Sequence, residues 1–309
     1  MFDVLAVGEL NVDVVLTGLK QPPVMGQEIL AEQYTECMGS STAICACAVS
    51  SLGAKTAFFG KLGEDSRGDL VANTLQRYGV DTRTIIRSGE LCTGVTVSMS
   101  MPGDRAMVTY FGDTINSFEA ADVPLESVRA RHIHVGSYFL QTRLHSGLTE
   151  LFRRARKLGM TTSLDAGWDE HGSWANALGD VLTQTDYFFP NEKEAACIAG
   201  TEDMEEAARR IAGMGCTAVL KLGSKGALAC DREGRLHFSQ AFRVPVVDTT
   251  GAGDSFNAGF LRAALNGASL EECMAYGNAT GAVSVGYEGG TTHCPTPDEV
   301  ERLLGRTKA

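Results

Sequence analysis

From about residue 131 onward, short β-branched runs alternate with longer apolar-periodic segments. This constrains the fold more than any other feature. Strands are expected over 132–135, 161–164, 187–189, 218–221, 227–230 and 244–247. Helices are expected over 144–158, 192–199, 204–214, 252–266 and 270–285. A helix that carries the chain back to the same end of a sheet makes successive strands parallel. The alternation therefore predicts a mainly parallel sheet covered by helices on both faces.

The first half follows the pattern less closely. Val4, Leu5, Ala6 and Val7 read as a strand ending in Gly8-Glu9. A helix starts after Ser41 and stops at Gly53, a strand covers 56–59, and a helix over 69–78 is closed by Gly79. Two stretches, about 12–35 and 92–111, carry only short β-like pieces. The second contains a hairpin signal, 94–99 and 107–111 around the turn Pro102-Gly103-Asp104. Together these stretches predict a small sheet projecting from the main body. The 309 residues suit one large α/β domain or two smaller ones, and no repeat or linker interrupts them.

Charge and cysteine usage narrow the function. The net charge is −11, which argues against nucleic acid and anionic membranes as main partners. It does not argue against a phosphate ligand, because backbone N–H groups at a helix start can hold one. Nine cysteines form no CxxC pair and several lie in apolar runs, as expected of reduced core residues in a cytoplasmic protein. No basic leader and no apolar run near 18 residues is present, so no membrane span is expected. His132 and His134 alternate with apolar residues and read as structural.

The chemistry concentrates in Asp248-Thr249-Thr250-Gly251-Ala252-Gly253-Asp254. An apolar-periodic helix follows it. Successive N–H groups there make an anion hole, reinforced by the helix dipole. Gly251 and Gly253 let an oxyanion approach the backbone. A carboxylate in such a place suits removal of a proton from a hydroxyl that attacks a phosphate. The same letters also fit a helix start with an ordinary aspartate cap.

The run DTTGAGDSFNAGFL over 248–261 resembles the C-terminal signature of the PfkB, or ribokinase-like, family of carbohydrate kinases. The resemblance extends over almost the whole chain. It implies a three-layer α/β sandwich over 1–309 with a β lid from about 12–35 and 92–111. It also implies transfer of the γ-phosphoryl group of ATP to a hydroxyl, with Asp254 as base and the Gly251, Ala252 and Gly253 amides stabilising the phosphoryl charge. Lid closure would exclude water.

Further stretches agree in order. Asn191 and Glu194 in Pro190-Asn191-Glu192-Lys193-Glu194 look like the family's N-x-x-E motif, near which Mg²⁺ is held through water. On its own the stretch is equally a helix start with acidic first-turn residues. Lys221, Gly223, Ser224 and Gly226 form a turn that, in similar kinases, lies along the nucleotide; alone it is a hairpin turn. Asn11 and Asp13 follow the first strand, and Asp13 suits two hydroxyls of a polyol. Gly39, Ser40 and Ser41 fall where relatives bind the acceptor, and Gln141 falls near a sugar contact. Asn278 matches a position near the adenine, and Asp248 and Thr250 match the region of a monovalent cation, K⁺.

The N-terminal signature departs from the family pattern. Ser40 stands where a second glycine is usual, and Ile44 where an asparagine touches the sugar. The departure bears on the acceptor, not on phosphoryl transfer. A sugar or sugar-like acceptor is expected. A nucleoside kinase of the same family is the rival reading, because Ile44 makes the pocket more apolar. A catalytically silent sugar- or nucleotide-binding regulator has no use for Asp254. A dinucleotide-binding enzyme is excluded because the first strand ends in Gly8-Glu9-Leu10-Asn11 rather than GxGxxG. The lid sheet, open-edged and apolar at Val95, Val97, Met99 and Met107, predicts a homodimer formed through it.

Overall fold

Val4, Leu5, Ala6 and Val7 are all buried, as a strand with helices on both faces requires. They belong to β1 (Phe2–Val7). The computed structural model describes residues 1–101 and 104–306, with only the backbone at 104 and 105. Pro102 and Gly103, expected to turn the lid hairpin, lie outside the described residues.

After β1 come β2 (Asn11–Thr17), β3 (Gln33–Met38), α1 (Ser41–Ser51), β4 (Thr56–Phe59), β5 (Lys61–Gly63) and α2 (Ser66–Arg77). Then follow β6 (Ile86–Ser88), β7 (Gly94–Met101), β8 (Asp104–Tyr110), β9 (Ala130–Val135), α3 (Thr142–Lys157) and β10 (Thr161–Leu164). The chain continues through α4 (Trp174–Leu182), β11 (Tyr187–Phe188), α5 (Glu192–Ala199), α6 (Met204–Ala212), β12 (Thr217–Lys221) and β13 (Ala227–Cys230). It ends with β14 (Leu236–Ser239), α7 (Ala252–Leu265), α8 (Leu270–Ser284) and α9 (Pro297–Leu303).

The main sheet has eight strands in the order β14-β13-β12-β11-β10-β9-β1-β4. It is parallel from β12 to β4 and antiparallel at β13 and β14. Alternation along the strands divides the core. Leu5, Val7, Ala218 and Leu220 pack with residues of α3 to α6 on one face. Val4 and Val219 pack with α1, α7 and α8 on the other. The result is the ribokinase-like three-layer arrangement. His132 and His134 hydrogen-bond Thr161 and Ser163 inside the sheet, and burial pushes their pKa values down to about 3 and about 4. They are structural, as expected.

The second sheet, β3-β2-β7-β8, stands apart from the first. β2 pairs parallel with β7, with Asn11 opposite Gly94. Of its expected apolar face, Val95, Val97 and Met99 do share one side, but Met107 lies on the other. Val95 is buried and Val97 and Met99 are half-buried, on the face opposite the cleft-lining Thr96 and Ser100. Exposed on the outer face are Val108 and Tyr110 of β8 and Tyr34 of β3, while Met107, also exposed, faces the cleft.

One local expectation fails, and several elements were not anticipated. No strand forms over 244–247; Val246 and Val247 are exposed instead. A turn at 231–235 sends the chain straight back, so 236–239 takes the sheet edge as β14. α4 and the parallel pair β5–β6 were not anticipated, the strands being only three residues each.

Candidate active site

A cleft of about 1070 Å³ opens between the two sheets, at the C-terminal ends of β1, β9, β10 and β12. Ligands of open α/β sheets bind at such ends. The volume is enough for two small molecules side by side, since a single drug-sized ligand takes roughly 300–1,000 Å³.

The floor is the start of α7. Gly251 has φ +73°, and a Cβ there would come within 2.9 Å of Gly290 Cα. Only glycine fits both demands. The Ala252 amide is spent on Thr249 O at 3.3 Å. The amides of Gly251, Gly253 and Asp254 have no acceptor among the described residues. Asp254 sits on this first turn and accepts a short hydrogen bond from Ser41 Oγ. Its pKa is raised to about 7, chiefly by burial and then by the Asp165 charge, against the opposing pull of Lys221 and Ser41.

One cation faces this carboxylate. Lys221 Nζ lies 2.6 Å from Asp165 Oδ2, and Asn257 Nδ2 donates to the same oxygen at 2.7 Å. Burial works against the Lys221 charge, but Asp165, Glu194 and Asp254 outweigh it and hold its pKa up. A Cβ on Gly253 would stand 3.4 Å from Lys221 Nζ, so the ammonium borders the free amides. Asp165 and Asn257 were not singled out for this. The place of Asp165 just after β10, at the C-terminal edge of the sheet, was the available signal.

On the lid side, Asn11 Nδ2 donates to Asp13 Oδ1 at 3.0 Å and to Thr96 Oγ1 at 3.2 Å. Asn11, Asp13, Ser40 and Ser41 all line the cleft. Gly39 is needed beside them, because a Cβ there would lie 2.2 Å from Asp13 Oδ1. Ser40 is less available than expected. Its hydroxyl donates to Glu9 O at 2.6 Å and caps Ala43 N of α1. Its φ of +70° explains why glycine is usual there. Ile44 is 3% exposed. Its side chain abuts Gly251 and Gly290, so it braces the anion hole while lining the cleft.

Gln141 is not on the cleft wall. It is buried behind it, donating to Gly136 O at 2.6 Å and to Glu9 Oε2 at 3.3 Å. Sequence spacing cannot distinguish a side chain facing the pocket from one behind it.

The nucleotide-side residues divide in the same way. Gly223, Lys221 and Asn191 line the cleft with Glu194. Asn191 and Glu194 also form a reciprocal cap on α5, at 2.8 and 2.9 Å, so the helix-start reading holds as well. Burial raises the Glu194 pKa to about 8, with Asp165 adding to the shift. Ser224 is not among the lining residues. Gly226, at φ +104°, is pressed against Ser239 O and serves the turn. Asn278 is buried, and its amide ties the end of β14 through Ser239 O at 3.0 Å and Gln240 O at 3.2 Å. Asp248 accepts from Thr250 N and Oγ1, both at 2.9 Å, and from Gly289 N at 2.9 Å. Among the described residues, no three His, Cys, Asp or Glu side chains are gathered as a metal cage.

A half-buried carboxylate poised near neutrality, beside free helix-start amides and a fixed ammonium, is an arrangement suited to phosphoryl transfer. Residues 1–297 match the family described as pfkB family carbohydrate kinase. The chain is 30% identical over 287 residues to the ribokinase of Haemophilus influenzae, covering 90% of this chain and 91% of that one. The structure of Arabidopsis thaliana ribokinase complexed with ribose and ATP superimposes with a TM-score of 0.83 at 27% identity, over 98% of both chains. A ribokinase-like protein of E. coli solved with ATP and Mg²⁺ gives a TM-score of 0.87 at 22% identity, covering 99% of this chain and 100% of that one. The chain belongs to the pfkB family of carbohydrate kinases. Its activity is that of the family: ATP-dependent phosphoryl transfer to a hydroxyl of a sugar or sugar-like acceptor.

Proposed function

We propose that this cleft holds ATP with Mg²⁺ along Gly223, Lys221 and the 251–254 turn, and a small polyhydroxylated sugar against Asn11 and Asp13. The observation that carries the reading is the Asp254 carboxylate beside free backbone N–H groups at the start of α7. Asp254 takes the proton of the acceptor hydroxyl. The amides of Gly251, Gly253 and Asp254 and the Lys221 ammonium face the transferred group. Mg²⁺ neutralises phosphate charge when bound, and Glu194 and Asn191 are the side chains on that wall. K⁺ beside Asp248 and Thr250 has weaker support, because both Asp248 oxygens already accept hydrogen bonds.

The sugar reading draws on hydroxyl-matching side chains: Asn11, Asp13, Ser41, Thr96 and Thr109 all line the lid half. The nucleoside reading draws on Trp168, which lines the same cleft and is 56% exposed. A flat aromatic surface of that kind can stack on a base. ATP consumption measured against pentoses, hexoses, sugar acids, polyols and nucleosides decides between them. Sugars are expected to outperform nucleosides. Consumption that no acceptor stimulates would sink the placement of the acceptor.

A homodimer through the lid is proposed as well, supported by exposed Tyr34, Val108 and Tyr110, which share the face of the sheet turned away from the cleft. Contiguous apolar surface of this kind on an open-edged sheet is normally covered. Sedimentation should give twice the chain mass at micromolar concentration, and Val108→Glu should halve it. A wild-type monomer would reject the dimer. A cytoplasmic location accords with nine free thiols. No helix among the described residues is long and apolar enough to cross a membrane.

A further inference from the structure

Glu9 lies two residues beyond the end of β1, at the base of the cleft, and is 2% exposed. Its carboxylate has no cationic partner among the described residues. It is held by hydrogen-bond donors alone: Ser137 Oγ at 2.8 Å on Oε1, and Thr42 Oγ1 at 2.9 Å and Gln141 Nε2 at 3.3 Å on Oε2. A buried carboxylate is costly unless such donors surround it. These donors come from the start of α1 and from the segment after β9, so Glu9 ties both to β1.

The tie has a direction. Thr42 is wedged between Gly8 and Gly136, where a Cβ would lie 2.2 and 2.5 Å from its hydroxyl. Ser40, on the other side of Ser41, donates to Glu9 O at 2.6 Å. Both neighbours of Ser41 are thus fixed to Glu9, and Ser41 itself donates to Asp254 Oδ1. We propose that Glu9 is a positioning residue: by holding Ser40 and Thr42 it sets the Ser41 hydroxyl on the Asp254 carboxylate.

The inference rests on Asp254 being the base, but its test requires no acceptor. The charged groups facing Asp254 are Asp165 at the end of β10, Lys221 at the end of β12, Glu194 on α5 and Glu9 itself, with the Cys45 thiol also near. A donated hydrogen bond favours the ionised carboxyl, so losing it moves the titration up.

Glu9→Asp keeps the carboxyl group but shortens its reach. ¹³C NMR of the Asp254 carboxyl in the free protein should therefore titrate about one pH unit higher in Glu9→Asp than in wild type. Ser41→Ala should show the same rise, and adding Glu9→Asp to Ser41→Ala should move it no further. Thr42→Val, which removes the hydroxyl while keeping the shape, should also raise it and serves if Glu9→Asp does not fold. A wild-type midpoint in both Glu9→Asp and Thr42→Val, or shifts that add to that of Ser41→Ala, would overturn the proposal. A wild-type Asp254 that titrates as an ordinary carboxyl would instead count against the poised base and, with it, the short Ser41 contact that Glu9 is proposed to set.

Discussion

Asp254→Asn is expected to lower turnover at least about a hundredfold while ATP still binds, because removing a general base typically costs that much or more. Asparagine keeps the size and the helix start but cannot take a proton. The free amides and Lys221 remain, so the phosphate side of the cleft is left intact. The pH dependence follows from the same group. Its pKa of about 7 means that the carboxyl is protonated and idle below neutrality, and ionised above it. The acid limb of kcat/KM should therefore rise through about pH 7 in the wild type and disappear from the residual activity of the variant. Turnover and nucleotide affinity, measured separately, check this. Near-normal turnover on the best acceptor would remove Asp254 from the mechanism.

Lys221→Met should damage both stability and chemistry. Lys221 and Asp165 have side chains only 13% and 6% exposed and meet at 2.6 Å. Burial alone would push the Asp165 carboxyl up, yet Lys221 and the Asn257 amide hold it below its usual value. Methionine leaves Asp165 buried with two neutral donors, Asn257 Nδ2 and the Gly167 amide. Breaking a buried pair from one side costs about 3–5 kcal/mol. Chemical denaturation should show that loss at neutral pH. It should shrink in acid, where Asp165 of the variant takes a proton and its charge disappears. Lys221 also restrains the Asp254 pKa, so the acid limb of any remaining activity should move to higher pH. A variant as stable as wild type at pH 7 would mean that solvent, not Lys221, compensates Asp165.

The parallel sheet, the start of α1, the bounds of α5 and the glycine turn before Asp254 were legible in the sequence because each is local. Burial of a whole strand, a cap, a stop and a positive φ are decided within a few residues. The family's signature over 248–261 lies on such a local unit, which is why Asp254 could be singled out before any fold was known. The run over 244–247 shows the limit. Its β-branched letters suit a strand, but a sheet edge admits one neighbour, and the turn at 231–235 delivered 236–239 there first.

Only tertiary structure decided which polar side chains face the cleft. Gln141 and Asn278 have the right chemistry and the right neighbourhood, yet their amides are consumed by Glu9 and Gly136 and by Ser239 and Gln240. Ser40 is spent on a helix cap and on Glu9. In the opposite sense, Glu9, Asp165 and Asn257 became site residues through partners that lie far from them in the chain. A hydrogen-bonding group keeps one or two partners when buried, and those partners are fixed by how strands and helices pack. Spacing in sequence carries no record of that choice, because it is made between elements that the chain brings together only on folding.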